Sequence, residues 1–522
     1  MMLEKLSLAD TQQFDPVFLD YLAGESKLQP FYHRSPQPES FQEQLAEKQL
    51  SAEQRSILVE VLQQQYQSLD TSEAVTENIR QLADSKTFTV TTGHQLNIFT
   101  GPLYFIYKIV TVVNACRSLQ EKYPDYRFVP VYWMASEDHD FEEISYFNLF
   151  GQTYTWETQQ TGAVGRFHPN GLTKVLDELP EKTPIFEEAY RKHETLADAV
   201  RCYVNELFKE QGLVVIDADN PTLKASFAPV IKDDLLNHTA KQKVEEASAR
   251  LDEMNYKTQV FPREINFFYL HEQSRERIVR ENDSFQVLNT DLSFSEEKLL
   301  QEVEEHPERF SPNVILRPLY QEMILPNLAY VGGPSEVAYW LQLKPVFEHY
   351  EVTFPILMPR NFALVINKTN AKKLRKVEIS SSDLFLDTQA LVKKFVEENA
   401  DGNLSLKEEK AALAEVFERI KEKARVVDGS LDGFIGSEAN KSFKSLSNIE
   451  KRLKKSEEQN QETSVKQLEG LKEKLFPGGT LQERKENFLN FYINNPHFIE
   501  ELLEQLDPFD FQFHILNEGE NA

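Results

Sequence analysis

The chain has 522 residues, of which 57 are basic and 84 are acidic, so its formal net charge at pH 7 is −27. Hydrophobic residues make up 40% of the sequence, which allows a large core and excludes a wholly disordered chain. Because so acidic a surface repels phosphates and anionic lipids, we expect no general binding to nucleic acids or membranes.

The cysteines and the apolar segments indicate the compartment. Cys116 and Cys202 lie far apart in the sequence and cannot form a disulfide framework. The sequence has no CxxC pair, which a structural zinc site would use. No uncharged apolar stretch is long enough for a transmembrane helix, and the N-terminus lacks the apolar region of a secretory signal. We therefore expect a cytoplasmic protein.

Short β-branched or aromatic segments, separated by amphipathic helical segments, predict a parallel sheet. The predicted strands are Thr87–Thr92, Phe128–Met134, Leu213–Ile216, Leu328–Val331 and Phe354–Met358. The clearest predicted helices are Pro102–Glu121 and Pro334–Tyr350. This alternation predicts an α/β fold of the Rossmann-like type, with ligands at the carboxyl ends of the strands.

The sequence changes character after Asp383, where Lys, Glu, Leu and Ala dominate. Apolar residues recur there at three- and four-residue spacing on both sides of Asp428-Gly429-Ser430, which predicts an antiparallel α-helical coiled coil. Arms of about 40 residues would extend about 60 Å, and we expect them to join two subunits in a homodimer. The predicted organisation is a core in residues 1–140, 213–235 and 314–383, connective insertions in 141–212 and 236–313, the hairpin in 384–476, and a tail in 477–522 that packs on the core.

The segment Gly93-His94-Gln95-Leu96-Asn97 follows the first predicted strand, and Pro102 suits the first position of a helix. Backbone amides, a His and an Asn would then lie at the positive end of that helix, which suits a phosphate or another anion. A His in such a turn is as often a capping or packing residue.

A second strand-to-helix turn reads Gly332-Gly333-Pro334-Ser335-Glu336. The glycines permit a ligand to approach the backbone closely. The same residues also make a tight, well-capped turn, and the sequence leaves both interpretations open.

The cluster Glu137-Asp138-His139-Asp140 directly follows a predicted strand. Such residues can hold amines or sugar hydroxyls, transfer protons or bind a metal. They are equally typical of a solvated loop with capping carboxylates.

Neither a P-loop nor a GxGxxG motif is present, so ordinary nucleotide-binding motifs are absent. Four blocks in order nevertheless resemble the bacillithiol-biosynthesis cysteine-adding enzyme family, BshC: TTGHQLNIFTGPLYFIYK, VPVYWMASEDHDFEEI, LRPLYQEMILPNLAYVGGPSEVAYWLQLKP and MPRNFALVI. The resemblance covers essentially the whole chain. It implies a Rossmann-like core with connective insertions and a coiled coil, similar to class I nucleotidyltransferases. It also implies a ligase that joins cysteine to the amine of glucosaminyl-malate by an amide bond.

In this resemblance, Gly93-His94-Gln95 stands where class I enzymes carry their HIGH signature. The expected cofactor is ATP or another adenine nucleotide, with no metal other than Mg²⁺ bound to it. From residue type we expect catalytic roles for His94, Asp138 and His139. The residues expected to bind substrates are Gly93, Gln95, Asn97, Glu137, Asp140, Gly332, Gly333, Ser335, Glu336, Arg317, Arg360 and Asn361.

Glu137, Asp138 and Asp140 would hold the cysteine ammonium or the glucosamine. Arg317 and Arg360 would hold the malate carboxylates. Other functions stay open. A glycoside-processing enzyme would use Glu137 and Asp140, a transferase of another pathway would bind a nucleotide, and a non-catalytic coiled-coil protein would sense a ligand.

Overall fold

The computed structural model describes residues 2–271, 273–377, 379–400 and 404–518. These form two compact units, one of residues 3–364 and 482–514 and the other of residues 365–481 with the end of the chain from 515. The strands are β1 (Met2–Ser7), β2 (Thr87–His94), β3 (Arg127–Met134), β4 (Tyr146–Leu149), β5 (Gln152–Thr155), β6 (Val214–Asp217), β7 (Phe267–His271), β8 (Ser274–Glu281), β9 (Ser284–Val287), β10 (Ser293–Ser295), β11 (Phe310–Pro312), β12 (Asn327–Gly332), β13 (Ile356–Pro359), β14 (Phe362–Ile366) and β15 (Gln512–Asn517).

The helices alternate with these strands up to residue 364 and dominate the chain after it. Those before residue 365 are α1 (Pro16–Leu22), α2 (Phe41–Glu47), α3 (Ala52–Tyr66), α4 (Glu73–Gln81), α5 (Tyr104–Lys122), α6 (Phe141–Ile144), α7 (Leu172–Glu178), α8 (Pro184–Lys192), α9 (Leu196–Phe208), α10 (Pro221–Ala225), α11 (Ala228–Asn237), α12 (Thr239–Glu253), α13 (Glu296–Glu305), α14 (Arg317–Ile324), α15 (Pro334–Trp340) and α16 (Lys344–His349). Those after it are α17 (Lys368–Val377), α18 (Thr388–Glu398), α19 (Lys407–Val427), α20 (Asp432–Asn460), α21 (Glu462–Leu475), α22 (Gln482–Lys485), α23 (Leu489–Tyr492) and α24 (Phe498–Gln505).

The central sheet of the first unit confirms the predicted Rossmann-like fold. Its order is β13-β12-β2-β3-β6, and every neighbouring pair is parallel. The chain enters at β2 and builds outward to β3 and β6, then returns to add β12 and β13 on the other side. The order therefore reverses between β2 and β12, and in such sheets a crevice for ligands opens outside the carboxyl ends of those two strands.

Apolar strand residues and helix α5 form the core behind that crevice. Val90, Val112, Leu119, Val331 and Ile356 belong to one buried cluster. Every residue of α5 from 105 to 116 is buried, as its almost continuous apolar sequence requires. The predicted helix Pro334–Tyr350 is divided into α15 and α16, because Pro345 lacks the amide that a continuous helix would need.

The segments between the core strands carry structure of their own. Residues 141–212 contain the hairpin of β4 and β5 together with α7, α8 and α9. Residues 236–313 contain an antiparallel sheet in the order β10-β9-β8-β7-β11. In the returning C-terminal segment, Leu503 and Leu506 accept hydrogen bonds from Asn114 Nδ2 of α5, at 3.0 and 2.7 Å.

The second unit is helical, and its antiparallel helix pair confirms the predicted C-terminal coiled coil. Helix α19 has 21 residues and α20 has 29, and a turn at Gly429–Leu431 joins them. The unit begins at residue 365, whereas the sequence predicted a boundary at 384. Helix α17 accounts for the difference, because its Val377 packs in one apolar cluster with Leu391 and Leu468. Among the described residues, no helix has both the length and the apolar character needed to cross a membrane.

Candidate active site

A cavity of about 380 Å³ lies at the carboxyl ends of β2 and β12, where the strand order reverses. It brings together eight of the residues predicted from the sequence, which come from four separate segments. They are Gly93, His94, Gln95, Arg317, Gly333, Ser335, Glu336 and Arg360.

Glu137 and Asp138 line a second cavity of about 380 Å³. Four residues line both cavities, so the two are adjacent and share a wall. These are Trp133, Ala135, Val314 and Arg317. The predicted residues therefore divide between two neighbouring cavities rather than lining one.

Five predicted residues line neither cavity: Asn97, His139, Asp140, Gly332 and Asn361. Asn97 Nδ2 donates to the carbonyl of Glu143 at 3.0 Å, and Asn361 Nδ2 donates to the carbonyl of Asp507 at 2.7 Å. These contacts hold loops in place.

The other three also have structural contacts. His139 Nδ1 accepts from Arg275 Nη1 at 2.7 Å, and the amide of Asp140 donates to Asp138 Oδ1 at 3.4 Å. A Cβ at Gly332 would lie 3.0 Å from the Cβ of Glu336 and 3.2 Å from Cε1 of Tyr330, so this glycine fits tight packing. Because Asp140 lies outside the cavities, the pair needed for a glycoside-processing enzyme does not face one site.

Lys108 and Glu336 form an ion pair in the first cavity, with Nζ and Oε2 2.6 Å apart. Lys108 Nζ also donates to the carbonyl of Gly93 at 2.8 Å. Glu336 accepts from Tyr330 Oη at 2.6 Å and from the amide of Gly333 at 2.8 Å. Burial alone would raise the pKa of Glu336, but Lys108 and these hydrogen bonds hold that pKa below its usual value.

The Lys108–Glu336 pair changes the interpretation of the anion site predicted at the start of α15. The Gly333 amide at the start of α15 is already bound to the Glu336 carboxylate, so that position is occupied by the protein's own anion. Lys108 was not predicted as a site residue. The sequence could have indicated it, because Lys108 is the one charged residue in segment 105–116, and a buried charge must be paired.

The imidazole of His94 packs between Tyr104 and Phe105, with ring centroids 5.4 and 5.2 Å away. Among the described residues its Nε2 has no hydrogen-bond partner. Burial lowers the pKa of His94 well below its usual value, and the charges of Lys108 and Arg360 lower it further. The ring is therefore neutral at pH 7.

The depressed pKa of His94 has a consequence for stability. Below about pH 6.5 the unfolded chain protonates this residue while the folded protein does not, so the folded state loses stability as the pH falls. We expect His94→Gln to lose less stability than the wild type between about pH 7 and pH 5, by up to about 1.4 kcal/mol per pH unit below 6.5. Urea denaturation at both pH values measures this, and equal losses would contradict a neutral buried imidazole.

Cations outnumber carboxylates around the first cavity. Lys108, Arg317, Arg360 and Arg484 line it, whereas Glu336 is its one lining carboxylate in the described part of the chain. Arg360 is neutralised by the buried Glu483, whose Oε1 accepts from Nη2 at 2.6 Å. A surplus of positive charge remains, which contrasts with a net charge of −27 for the chain. The cavity suits an anionic ligand.

Arg317 is the cation that both cavities share. Its guanidinium lies 5.6 Å from the rings of Trp133 and Tyr330, and its Nη1 donates to Gln321 Oε1 at 3.0 Å. Its Nη2 has no partner among the described residues. The guanidinium is thus oriented by the protein but not saturated by it.

The second cavity combines acidic and apolar groups. Glu137 is paired with the buried Lys224; burial raises the pKa of Glu137 while Lys224 opposes that rise. Asp138 accepts from Gln95 Nε2 at 2.9 Å and is only partly buried. Asp138 is therefore the carboxylate of the predicted cluster that can meet a ligand. Arg275, which lies over the Phe268 ring at 3.9 Å, was not predicted.

No arrangement of three or more His, Cys, Asp or Glu side chains within the described ranges could hold a metal ion. For a nucleotide, Arg317 and Arg484 have the charge that phosphate oxygens require. The Gly333 amide does not fit that role, because Glu336 occupies it.

Comparison with known proteins matches two family models. Residues 1–361 match the N-terminal Rossmann-like domain of bacillithiol biosynthesis BshC, and residues 363–518 match its C-terminal coiled-coil domain. Proteins of Cytophaga hutchinsonii and Flavobacterium psychrophilum, both named "Putative cysteine ligase BshC", are each 43% identical to this chain and align over 98% of both chains. A protein of the same name from Chlorobaculum tepidum is 30% identical over 89% of both chains.

Proposed function

Because the chain belongs to the BshC family of bacillithiol biosynthesis, whose matched members carry the name of a cysteine ligase, we propose that it joins L-cysteine to the amine of glucosaminyl-malate. The cysteine carboxyl carbon and the sugar amine would form an amide bond, and the elements of water would be removed. The observation that supports this most is the positively charged cavity at the strand-order reversal of an otherwise acidic chain.

The two adjacent cavities match the two chemical ends of such an acceptor. Malate carries two carboxylates, and Arg317 offers its guanidinium group to one of them in the first cavity. The amine must lose a proton before it attacks, and Asp138, which lines the second cavity, would accept that proton. His94, held neutral, can donate a hydrogen bond to the oxygen on which negative charge develops.

Amide formation needs an energy source, and we propose ATP or another adenine nucleotide. Arg484 would hold its phosphates, and Gly93, near the end of β2, lines the same cavity. When bound, the nucleotide supplies the phosphoanhydride cleavage that drives condensation. The positioning of the reactants would come from this chain's own side chains.

Product analysis tests the proposal. Purified protein is incubated with cysteine, glucosaminyl-malate and ATP, and mass spectrometry follows the condensation product while each component is omitted in turn. We expect product only when both substrates and the nucleotide are present. Product without a nucleotide would contradict the energy source, and free sugar without any condensation product would contradict the ligase.

We propose that the protein forms a homodimer through the coiled coil. Val426, Val427 and Phe434 flank the turn between α19 and α20, with 87%, 82% and 65% of their surface exposed. Burying such groups against a second subunit is favourable. We expect light scattering at micromolar concentration to give a dimer for the wild type and a monomer for the double variant Val427→Ser/Phe434→Ser.

A matched control replaces an exposed aromatic residue of the first unit. Phe261 is 73% exposed, and Phe261→Ser should leave the dimer intact. A monomeric wild type, or a dimer that survives the double substitution in the hairpin, would contradict dimerisation through this surface.

A further inference from the structure

A network of buried polar side chains lies behind Arg317. Gln321 Oε1 accepts from Arg317 Nη1 at 3.0 Å, and Gln321 Nε2 donates to Glu322 Oε1 at 2.9 Å. Glu322 Oε2 lies 3.3 Å from Lys48 Nζ. Gln321, Glu322 and Lys48 are no more than 5% exposed. The guanidinium at the shared wall is therefore connected to a buried ion pair through one glutamine.

This network of side chains is hydrogen-bonded to the central sheet. Asn327, the first residue of β12, donates from Nδ2 to Glu322 Oε1 at 2.6 Å. Its Oδ1 accepts from Thr89 and Thr91 of β2, at 3.0 and 2.8 Å. Because β2 and β12 border the crevice, the glutamine and its partners cannot move independently of the strands that carry the site.

The charges on either side fix the orientation of the Gln321 amide. Only one orientation places its oxygen toward the Arg317 guanidinium and its NH₂ toward the Glu322 carboxylate. A flipped amide would place like partial charges against both groups. Gln321 is consequently a rigid acceptor for one nitrogen of the guanidinium, and it leaves the other donors of Arg317 for a ligand.

We propose that Gln321 is a positioning residue, which orients Arg317 so that its guanidinium receives a carboxylate of the acceptor substrate. The proposal rests on the proposed function for the identity of that carboxylate. Gln321 itself lines neither cavity, so its effect must pass through Arg317. A charged donor that is oriented before binding loses less conformational entropy when the ligand arrives.

Calorimetric titration of the full-length protein with malate, a free dicarboxylate, tests this. Gln321→Met keeps the approximate volume but removes both hydrogen bonds, and we expect the Kd for malate to rise by about tenfold. The KM for glucosaminyl-malate should rise similarly, with kcat changed by less than about twofold. In an Arg317→Met background, Gln321→Met should cause no further loss of malate affinity. A merely structural role of Gln321 would lower malate affinity in that background too.

Gln342 provides the matched control. It is also fully buried, its Oε1 accepts from the amides of Gln259 and Val260, and it lines neither cavity. Gln342→Met should leave malate affinity unchanged even where it lowers stability. If Gln321→Met does not fold, Gln321→Asn is used instead. Its shorter side chain keeps the amide but moves the acceptor oxygen away from Arg317.

The outcomes separate the two proposals. A wild type that does not bind malate would overturn both the carboxylate assignment of the function and this inference. A wild type that binds malate, together with a folded Gln321 variant of unchanged affinity, would overturn the positioning role alone. A selective loss in the Gln321 variant that vanishes in the Arg317→Met background would support it.

Discussion

His94→Ala should lower the rate of amide formation by about 10²- to 10³-fold, which is the usual cost of removing one preorganised donor to a developing charge. The imidazole lines the positively charged cavity, and its Nε2 has no partner in the described part of the protein. Because His94 borders the cavity, its removal enlarges an existing space rather than creating a closed one, and the free energy of unfolding should fall by about 1 kcal/mol or less at pH 7.

Ile106→Ala is the matched comparison, since Ile106 lies twelve positions further on, in α5, and is fully buried. We expect it to lower the free energy of unfolding by about 2–5 kcal/mol through the cavity that it leaves. Steady-state rates and urea denaturation of both variants distinguish the roles. An unaltered rate for a folded His94→Ala protein would remove His94 from catalysis while leaving the fold unaffected.

Arg360→Met should destabilise the protein by about 3–5 kcal/mol, because it leaves the buried Glu483 carboxylate without its partner. Glu483 is fully buried, and its Oε2 also accepts from the Ala363 amide at 3.2 Å. Arg360 was predicted to bind malate. That role stays a prediction, since the side chain lines the cavity; its pairing with Glu483 adds a structural role.

Two further variants make this test specific. Adding Glu483→Gln to Arg360→Met should recover part of the lost stability, because the unpaired charge is removed. Lys441→Met breaks the exposed pair of Lys441 with Glu438 and should cost less than about 1 kcal/mol. Urea denaturation measures all three. A small loss for Arg360→Met, similar to that for Lys441→Met, would contradict the importance of the buried pair.

The sequence predicted the sheet well because its strands are short β-branched or aromatic segments that end at glycine or polar residues. Thr87–Thr92 lies within β2, and Leu328–Val331 lies within β12. Parallel strands deliver the residues that follow them to one edge, and His94 and Gly333, which lie at the carboxyl ends of two neighbouring strands, line the same cavity.

The partners of the charged residues could not be predicted in the same way. Arg360 and Glu483 are 123 positions apart, and no local pattern links them. The division of the site into two cavities also depends on contacts that no spacing encodes, such as the Lys224 ion pair that neutralises Glu137. The Glu336 capping contact is different: a carboxylate three residues after the start of a helix is a local signal, and it was available in the sequence.

The most direct test of the proposed site is an experimentally determined structure of the protein with glucosaminyl-malate bound. We predict a malate carboxylate oxygen within about 3 Å of a guanidinium nitrogen of Arg317, which is ordinary hydrogen-bonding distance, and the sugar amine on the side of Asp138. A ligand bound away from the carboxyl ends of β2 and β12, with the Arg317 guanidinium left without a ligand partner, would contradict it.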